Sequence, residues 1–181
     1  MLQITIPESE DWDEVNEMFI NKIPSKTLSL EHSLVSISKW EAKWHKPFLA
    51  KHEKSIEEIL DYIKCMTITQ NVSDDVYKRL TNGNIQEIYE YINNPMTATW
   101  FTDEKKTSNT REQVTSELIY YWMVAFGIPH NFDKWHLNRL LTLIRICNIK
   151  CNPPKKMSKR EIMKNNEMLN NARRMKLHSK G

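Results

Sequence analysis

The chain opens with a period-2 pattern. Leu2, Ile4 and Ile6 alternate with Gln3 and Thr5, which predicts a half-buried strand that Pro7 ends. A second short extended piece is expected through Met18, Phe19 and Ile20, giving a hairpin at the N-terminus. After Pro24 the period changes. Leu30, Leu34, Ile37, Trp40 or Glu41, and Trp44 recur at helical spacing, and Pro47 terminates the helix. Ser55-Ile56-Glu57-Glu58 has the form of a capping box, in which the serine hydroxyl and the third-position carboxylate satisfy each other's backbone N–H. Ile56, Ile59, Leu60 and Ile63 are expected on one face of the helix it starts.

Shorter helices are predicted over residues 74–80 and 85–92, with a turn at Asn82-Gly83-Asn84 and a start signal in Asn84 and Glu87. Pro95 closes the pair. Residues 96–101, MTATWF, have strand character and are placed to pair with the N-terminal strand in a small sheet, and the charged residues 103–109 read as a loop. Thr110 and Gln113 form a third capping box ahead of a stripe of Val114, Leu118, Tyr121 or Trp122, and Ala125. Gly127 follows where positive φ is wanted, Pro129 enforces a turn, and a further helix is predicted over 133–149 with Trp135, Leu137, Leu140, Leu141, Ile144 and Cys147 apolar. These two helices are expected to form an antiparallel hairpin at the centre of the fold.

Pro153-Pro154 stops that helix and stiffens the chain. Ser158 with Glu161 then caps a last helix whose apolar residues, Ile162, Met163, Met168, Leu169, Met175 and Leu177, are scattered among Asn, Lys and Arg. Such a segment gains little by burying itself on its own domain and reads as an arm. The expected fold is therefore mainly α: a compact helical domain over residues 1–152 with a small N-terminal β element, and a basic helical arm over 153–181.

Composition supports this and removes alternatives. Three glycines in 181 residues are too few for a β-sandwich or a phosphate-binding α/β fold. Apolar stretches are broken well short of the ~18 residues that span a bilayer, so no membrane contact is expected. The N-terminus lacks the basic and apolar regions of a secretory signal, and three cysteines do not suggest a disulfide framework, which together point to a reducing cytoplasm. The charge is split: the first 144 residues carry 15 Lys/Arg against 21 Asp/Glu, and the remaining 37 carry 11 against two. An acidic body with a basic tail implies an electrostatic partner for the tail.

Candidate chemistry was weighed residue by residue. Cys147-x3-Cys151 with His130 and His136 could supply zinc ligands, but structural zinc sites use tighter knuckles, and buried thiols are the expected reading. Cys65 would need His32 or His45 beside it to act as a nucleophile, which spacing cannot arrange. The carboxylate pairs Asp74-Asp75 and Glu57-Glu58 sit at helix starts, where they meet the positive end of the helix dipole. No enzyme signature, cofactor motif or metal set emerges. Trp40, Lys43, Trp44, His45 and Lys46 interleave aromatics with charge as a nucleic-acid platform would, although two tryptophans four apart on a helix more often anchor a core. The tail is the stronger electrostatic candidate. Its partner-binding residues are Lys155, Lys156, Lys159, Arg160, Lys164, Met168, Leu169, Arg173, Arg174, Met175 and Lys176.

LEHSLVSISKWEAKWHKPFL (residues 30–49), TSELIYYWMVAFGIPHNFDKWHLNRLLTLIRICNIK (115–150) and PPKKMSKREIMKNNEMLNNARRMKLHSKG (153–181), with CMTITQNVSDDVY and PMTATWF between them, resemble a family of tailed-bacteriophage proteins. Its members come from the structural gene region and are commonly labelled tail assembly chaperones. The resemblance covers nearly the whole chain. It departs at Asn170-Asn171, where the family usually has Ala, and at His178-Ser179, where it has Gly-Thr. It implies a non-enzymatic protein of the host cytoplasm that coats the tape measure protein, recruits tail tube subunits and leaves no trace in the finished particle. It carries no catalytic or ligand residues with it. Two alternatives remain open: a permanent virion tail or connector component, and an accessory protein that binds nucleic acid through the arm. Nine methionines suit adaptable apolar contacts, and a basic arm on an acidic body allows self-association between copies.

Overall fold

The computed structural model describes residues 1–13, 18–101, 113–151 and 159–177. They form two short antiparallel strand pairs and seven α-helices, so the chain is mainly helical with a small N-terminal sheet element. The chain divides into two compact units, residues 1–147 and 148–181, and the division falls inside a helix upstream of the double proline. No helix among the described residues is long and apolar enough to cross a membrane.

The alternating strand at Leu2–Ile6 (β1) is present, but its partner is Lys26–Leu30 (β4), with Leu2 opposite Leu30 and Ile4 opposite Leu28. Ile4, Ile6, Leu28 and Leu30 are buried while Gln3, Thr5 and Thr27 face out, as one covered sheet face requires. The extended piece at Met18–Ile23 (β3) pairs antiparallel with Ser9–Asp13 (β2), nested inside the outer pair. Residues 96–101 form no strand, contrary to expectation. The open edge of β4 is taken instead by the chain leaving the second helix: Ile68 N–H donates to the Ser29 carbonyl (2.8 Å) and Glu31 N–H to the Met66 carbonyl (2.9 Å).

Helix α1 is Leu34–Trp44, not 30–44, because Leu30 belongs to β4. Its start is set by Ser33, whose side chain accepts from Ser36 N–H, and its end by His45 in the left-handed region (φ 52°). Leu34, Ile37, Trp40 and Glu41 face inward, and α1 packs against helix α2 (Ile56–Met66), helix α5 (Ser116–Ala125) and a 3₁₀ turn at His130–Lys134. The expected hairpin of the two later helices is not the centre of the fold; α1 is.

The capping box of α2 forms as predicted, but its buried face is Glu58, Tyr62, Ile63 and Met66. Ile56 is 77% exposed and Ile59 41%, so the helix is rotated by roughly a quarter-turn from the expected stripe. The cause is polar. Trp40 Nε1 donates to the Glu58 carbonyl (2.9 Å), and the Glu58 carboxylate accepts from Ser55 N–H (2.8 Å) and from Lys46 (2.6 Å), which draws that side of α2 onto α1.

Helix α3 is Asp74–Lys78 and α4 is Asn82–Asn93. Asn82-Gly83-Asn84 is therefore not a turn but the first turn of α4, capped by Thr81 with Asn84 in a reciprocal box. Asn84 also donates to the Thr5 carbonyl (3.3 Å), fixing α4 against β1. Thr110, the third expected cap, lies outside the described residues; Thr115 caps α5. Ile119 and Met123 carry its buried stripe, whereas Tyr121 is exposed, contrary to the expected pattern. Gly127 has φ 63°, as its place after α5 predicts. The helix expected over 133–149 begins later, as α6 (Leu137–Cys151). Before it, Trp135 is extended, His136 bridges to Ser33, and Leu137 N–H donates to the His32 carbonyl (2.8 Å).

One buried side chain joins these parts. The Glu41 carboxylate accepts from Phe48 N–H (2.7 Å) in the turn after α1 and from Ser116 N–H (2.7 Å) at the start of α5. Removing it strands two buried donors at about 1–3 kcal/mol each. Glu41→Ala should therefore cost about 3 kcal/mol in urea unfolding, well above the loss in Lys43→Ala, which breaks only a surface pair with Asp61. Equal losses in the two variants would remove Glu41 from this role.

Candidate functional site

Helix α7 (Lys159–Leu177) carries most of the residues singled out in the tail. Every side chain described on it is exposed. With 100° per residue, Ile162, Met168, Leu169, Ala172 and Met175 fall within one broad stripe, flanked by Lys164 and Arg173 and interrupted by Glu161, Asn165 and Lys176. Lys159, Arg160 and Arg174 lie on the other side, as do Met163 and Leu177, which the expected face had included. Lys155, Lys156, the double proline and Ser158 lie outside the described residues. The brought-together set is thus an apolar stripe with a cationic border. Fully burying a Leu, Ile or Met side chain is worth about 1.5–3 kcal/mol, so the stripe holds binding energy that the chain itself does not use.

The tryptophans of α1 are committed inward, and the neighbouring lysines are held in surface ion pairs. Trp40 is fully buried, with its ring 6.1 Å from that of Trp44 and 5.1 Å from that of Phe48. Trp44 Nε1 donates to Asp61 (2.9 Å), Lys43 pairs with the same carboxylate, and Lys46 pairs with Glu58. These are core anchors, not a stacking platform.

The residues weighed for zinc are separated in role. His136 donates through Nε2 to the Tyr91 carbonyl (3.0 Å) and accepts at Nδ1 from Asn138 N–H (3.3 Å), so both ring nitrogens are engaged. Cys147 is half-buried, Cys151 is exposed one turn further along α6, and His130 packs against the Tyr120 ring. Among the described residues no three His, Cys, Asp or Glu side chains gather as metal ligands. Burial, followed by the nearby Asp61 carboxylate, pushes the Cys65 thiol above its ordinary pKa, which disfavours the thiolate. His32 does not serve it, being bonded to Tyr62.

That bond belongs to a polar cluster no local pattern announces. His32, Tyr62, Tyr91 and His136 are buried together, with the two imidazole centroids 5.0 Å apart and Tyr91 edge-on to His136 at 4.9 Å. Burial holds Tyr62 far above the usual phenol range, so its O–H stays protonated in the hydrogen bond it shares with His32 Nδ1. Tyr91 O–H donates to the Glu31 carboxylate, and burial together with that carboxylate raises the Tyr91 pKa. Burial, reinforced by His136, lowers His32 to about 3. Burial also lowers His136. Both imidazoles are therefore neutral at pH 7. The cluster borders a cleft of about 280 Å³ that Lys134 and Arg139 also line. Its members come from four places in the chain, and its work is to tie the β4–α1 junction to α2, α4 and the start of α6. A histidine directly before the Ser33 cap was the only sequence hint.

No family model matches the chain, and no curated protein or solved structure does either.

The cluster has a pH signature. Below its ordinary value of 6.5 the unfolded His32 takes up a proton that the folded one, near 3, refuses. The stabilisation is complete above pH 6.5 and is lost as pH falls toward 3. The urea midpoint of the parent protein should drop between pH 7 and pH 5, and His32→Asn, which keeps an acceptor near Nδ1, should flatten that drop. Parallel curves for the two proteins would exclude His32 as its source.

Proposed function

We propose that the chain is a non-enzymatic assembly chaperone for bacteriophage tails, acting in the host cytoplasm by binding tape measure or tail tube protein. The observation that carries this reading is α7: a helix of 19 residues whose interrupted apolar stripe is exposed and bordered by Lys and Arg. An amphipathic helix of this kind binds by laying its stripe against an apolar face of another helix, with charge setting the orientation. Tape measure proteins offer long helical faces, and the resemblance of the three segments described above points to the same partners. Methionines at 168 and 175 adapt to more than one surface, which suits transient holding.

Two further features support binding over catalysis. The buried titratable cluster has its hydrogen bonds filled internally, and the half-buried Cys65 is held as a thiol. The contrast between an acidic body and a basic arm supports contacts between copies, which as head-to-tail contacts would extend along a filament.

Co-expression with tail tube and tape measure proteins is the direct experiment. One of them should co-purify with the chain, and Met168→Asp with Leu169→Asp, both exposed and so harmless to the fold, should cut recovery about tenfold. No complex with either protein, or a complex indifferent to the double substitution, would defeat the proposal. Stoichiometric presence of the chain in purified particles would also defeat it, in favour of a permanent virion component.

A further inference from the structure

The unit formed by residues 1–147 has an apolar groove of about 390 Å³ between α2 and α4. Ile59 and Ile63 from α2 face Ile85, Ile88 and Ile92 from α4 across it, with Phe48 and Tyr62 at its base. The groove follows from the packing already described. Glu58 and Tyr62 turn α2 toward α1 and leave Ile59 outward; α4 turns Ile88 and Tyr91 inward and leaves Ile85 and Tyr89 at the surface. Ile59 and Ile85 are 41% and 39% exposed, and Tyr89 is 64% exposed at the rim. Branched apolar side chains clustered in this way on a surface mark an interaction site more often than scattered ones do.

The segment after Pro47 adds two polar groups to the lining. Lys54 places its ammonium 4.5 Å from the centre of the Phe48 ring and makes no ion pair among the described residues. Burial lowers its pKa, opposed by the Glu58 carboxylate, which is itself bonded to Lys46 and to Ser55 N–H. His52 Nε2 is buried with no hydrogen-bond partner. A cation that no carboxylate bonds directly and an unsatisfied imidazole nitrogen thus belong to residues lining an otherwise apolar trough.

We propose that this groove binds an amphipathic helix of a partner protein, apolar on one face and presenting an Asp or Glu side chain to Lys54 and His52. The walls decide for a helix. Ile85, Ile88 and Ile92, and Ile59 and Ile63, are spaced three or four apart, which makes ridges that interdigitate with those of a third helix. Both walls are helices whose backbone groups are bonded internally, so an extended peptide would find no partners for its own N–H and C=O groups. The groove is open along its length and covers one side of an occupant. That suits a helix with a single apolar stripe and leaves a lipid chain, apolar all round, half in water. The charge decides for a carboxylate. It also excludes the arm of a second copy, since α7 would bring Lys159, Arg160, Lys164, Arg173, Arg174 and Lys176 to a groove that already holds an unpaired cation.

The test uses the full chain and two fluorescein-labelled helical peptides about five turns long. Both carry the same leucine stripe; one has Glu at the stripe's end and the other Lys. Fluorescence anisotropy should show the Glu peptide binding roughly tenfold more tightly. Lys54→Glu should reverse that order, and Ile59→Asp, at an exposed position, should abolish both while the thermal melt is unchanged. Binding of neither peptide, equal binding of both, or a preference that survives Lys54→Glu would overturn the inference. Occupation by dodecanoate with no peptide binding would overturn it in favour of a small amphiphile. The groove lies within residues 48–93 and the test leaves α7 intact, so its outcome is read independently of the co-expression experiment.

Discussion

The carboxylate of Glu41 sits where three segments of the helical unit meet. It is buried on α1, and each of its oxygens accepts a backbone N–H that would otherwise lie unpaired, one from Phe48 and one from Ser116. The second lies at the N-terminus of α5, where the helix dipole favours a negative group. A single charge thereby closes the turn after α1 and seats a helix that begins 75 residues later. Trp40, its neighbour in the chain, does the equivalent for α2 through the Glu58 carbonyl. Helix α1 thus acts as the post to which α2 and α5 are attached, and the apolar core fills the space these attachments define.

The same arrangement decides what is left for binding. Polar anchoring of Glu58 rotates α2 away from the face its isoleucines favour, so Ile59 remains outside and becomes one wall of the α2–α4 groove. The His–Tyr cluster bonds its titratable side chains within the fold, and it holds the segments before α1 and α6 together. Among the apolar surface that the fold leaves exposed are the groove and the stripe along α7. The two differ in chemistry. The groove holds an unpaired cation and an unsatisfied imidazole, while the arm supplies cations in excess. Opposite charge on the same partner would satisfy both, and an acidic helical protein is one form such a partner takes.

Local signals in the chain were reliable wherever their physics is local. The Ser55–Glu58 box, the left-handed Gly127, the alternation of Leu2, Ile4 and Ile6, and the poor apolar face of the last helix all appear as read, because each depends on atoms within about four residues. Some local readings failed where two patterns overlapped. Leu30 fits the period of the following helix as well as that of β4, and Asn82-Gly83-Asn84 has turn composition although Thr81 caps a helix there.

What the residues determined alone, then, is the helical class, the Ser55 cap and the left-handed Gly127. Tertiary structure decided which strand pairs with β1, which face of α2 and α5 turns inward, and where titratable groups gather. Those outcomes rest on bonds between distant residues: Trp40 to Glu58, His32 to Tyr62, Glu41 to Ser116, His136 to Tyr91. Period and composition report the neighbours along the chain, whereas a helix with apolar residues on more than one side is oriented by the polar group that must be satisfied in the core.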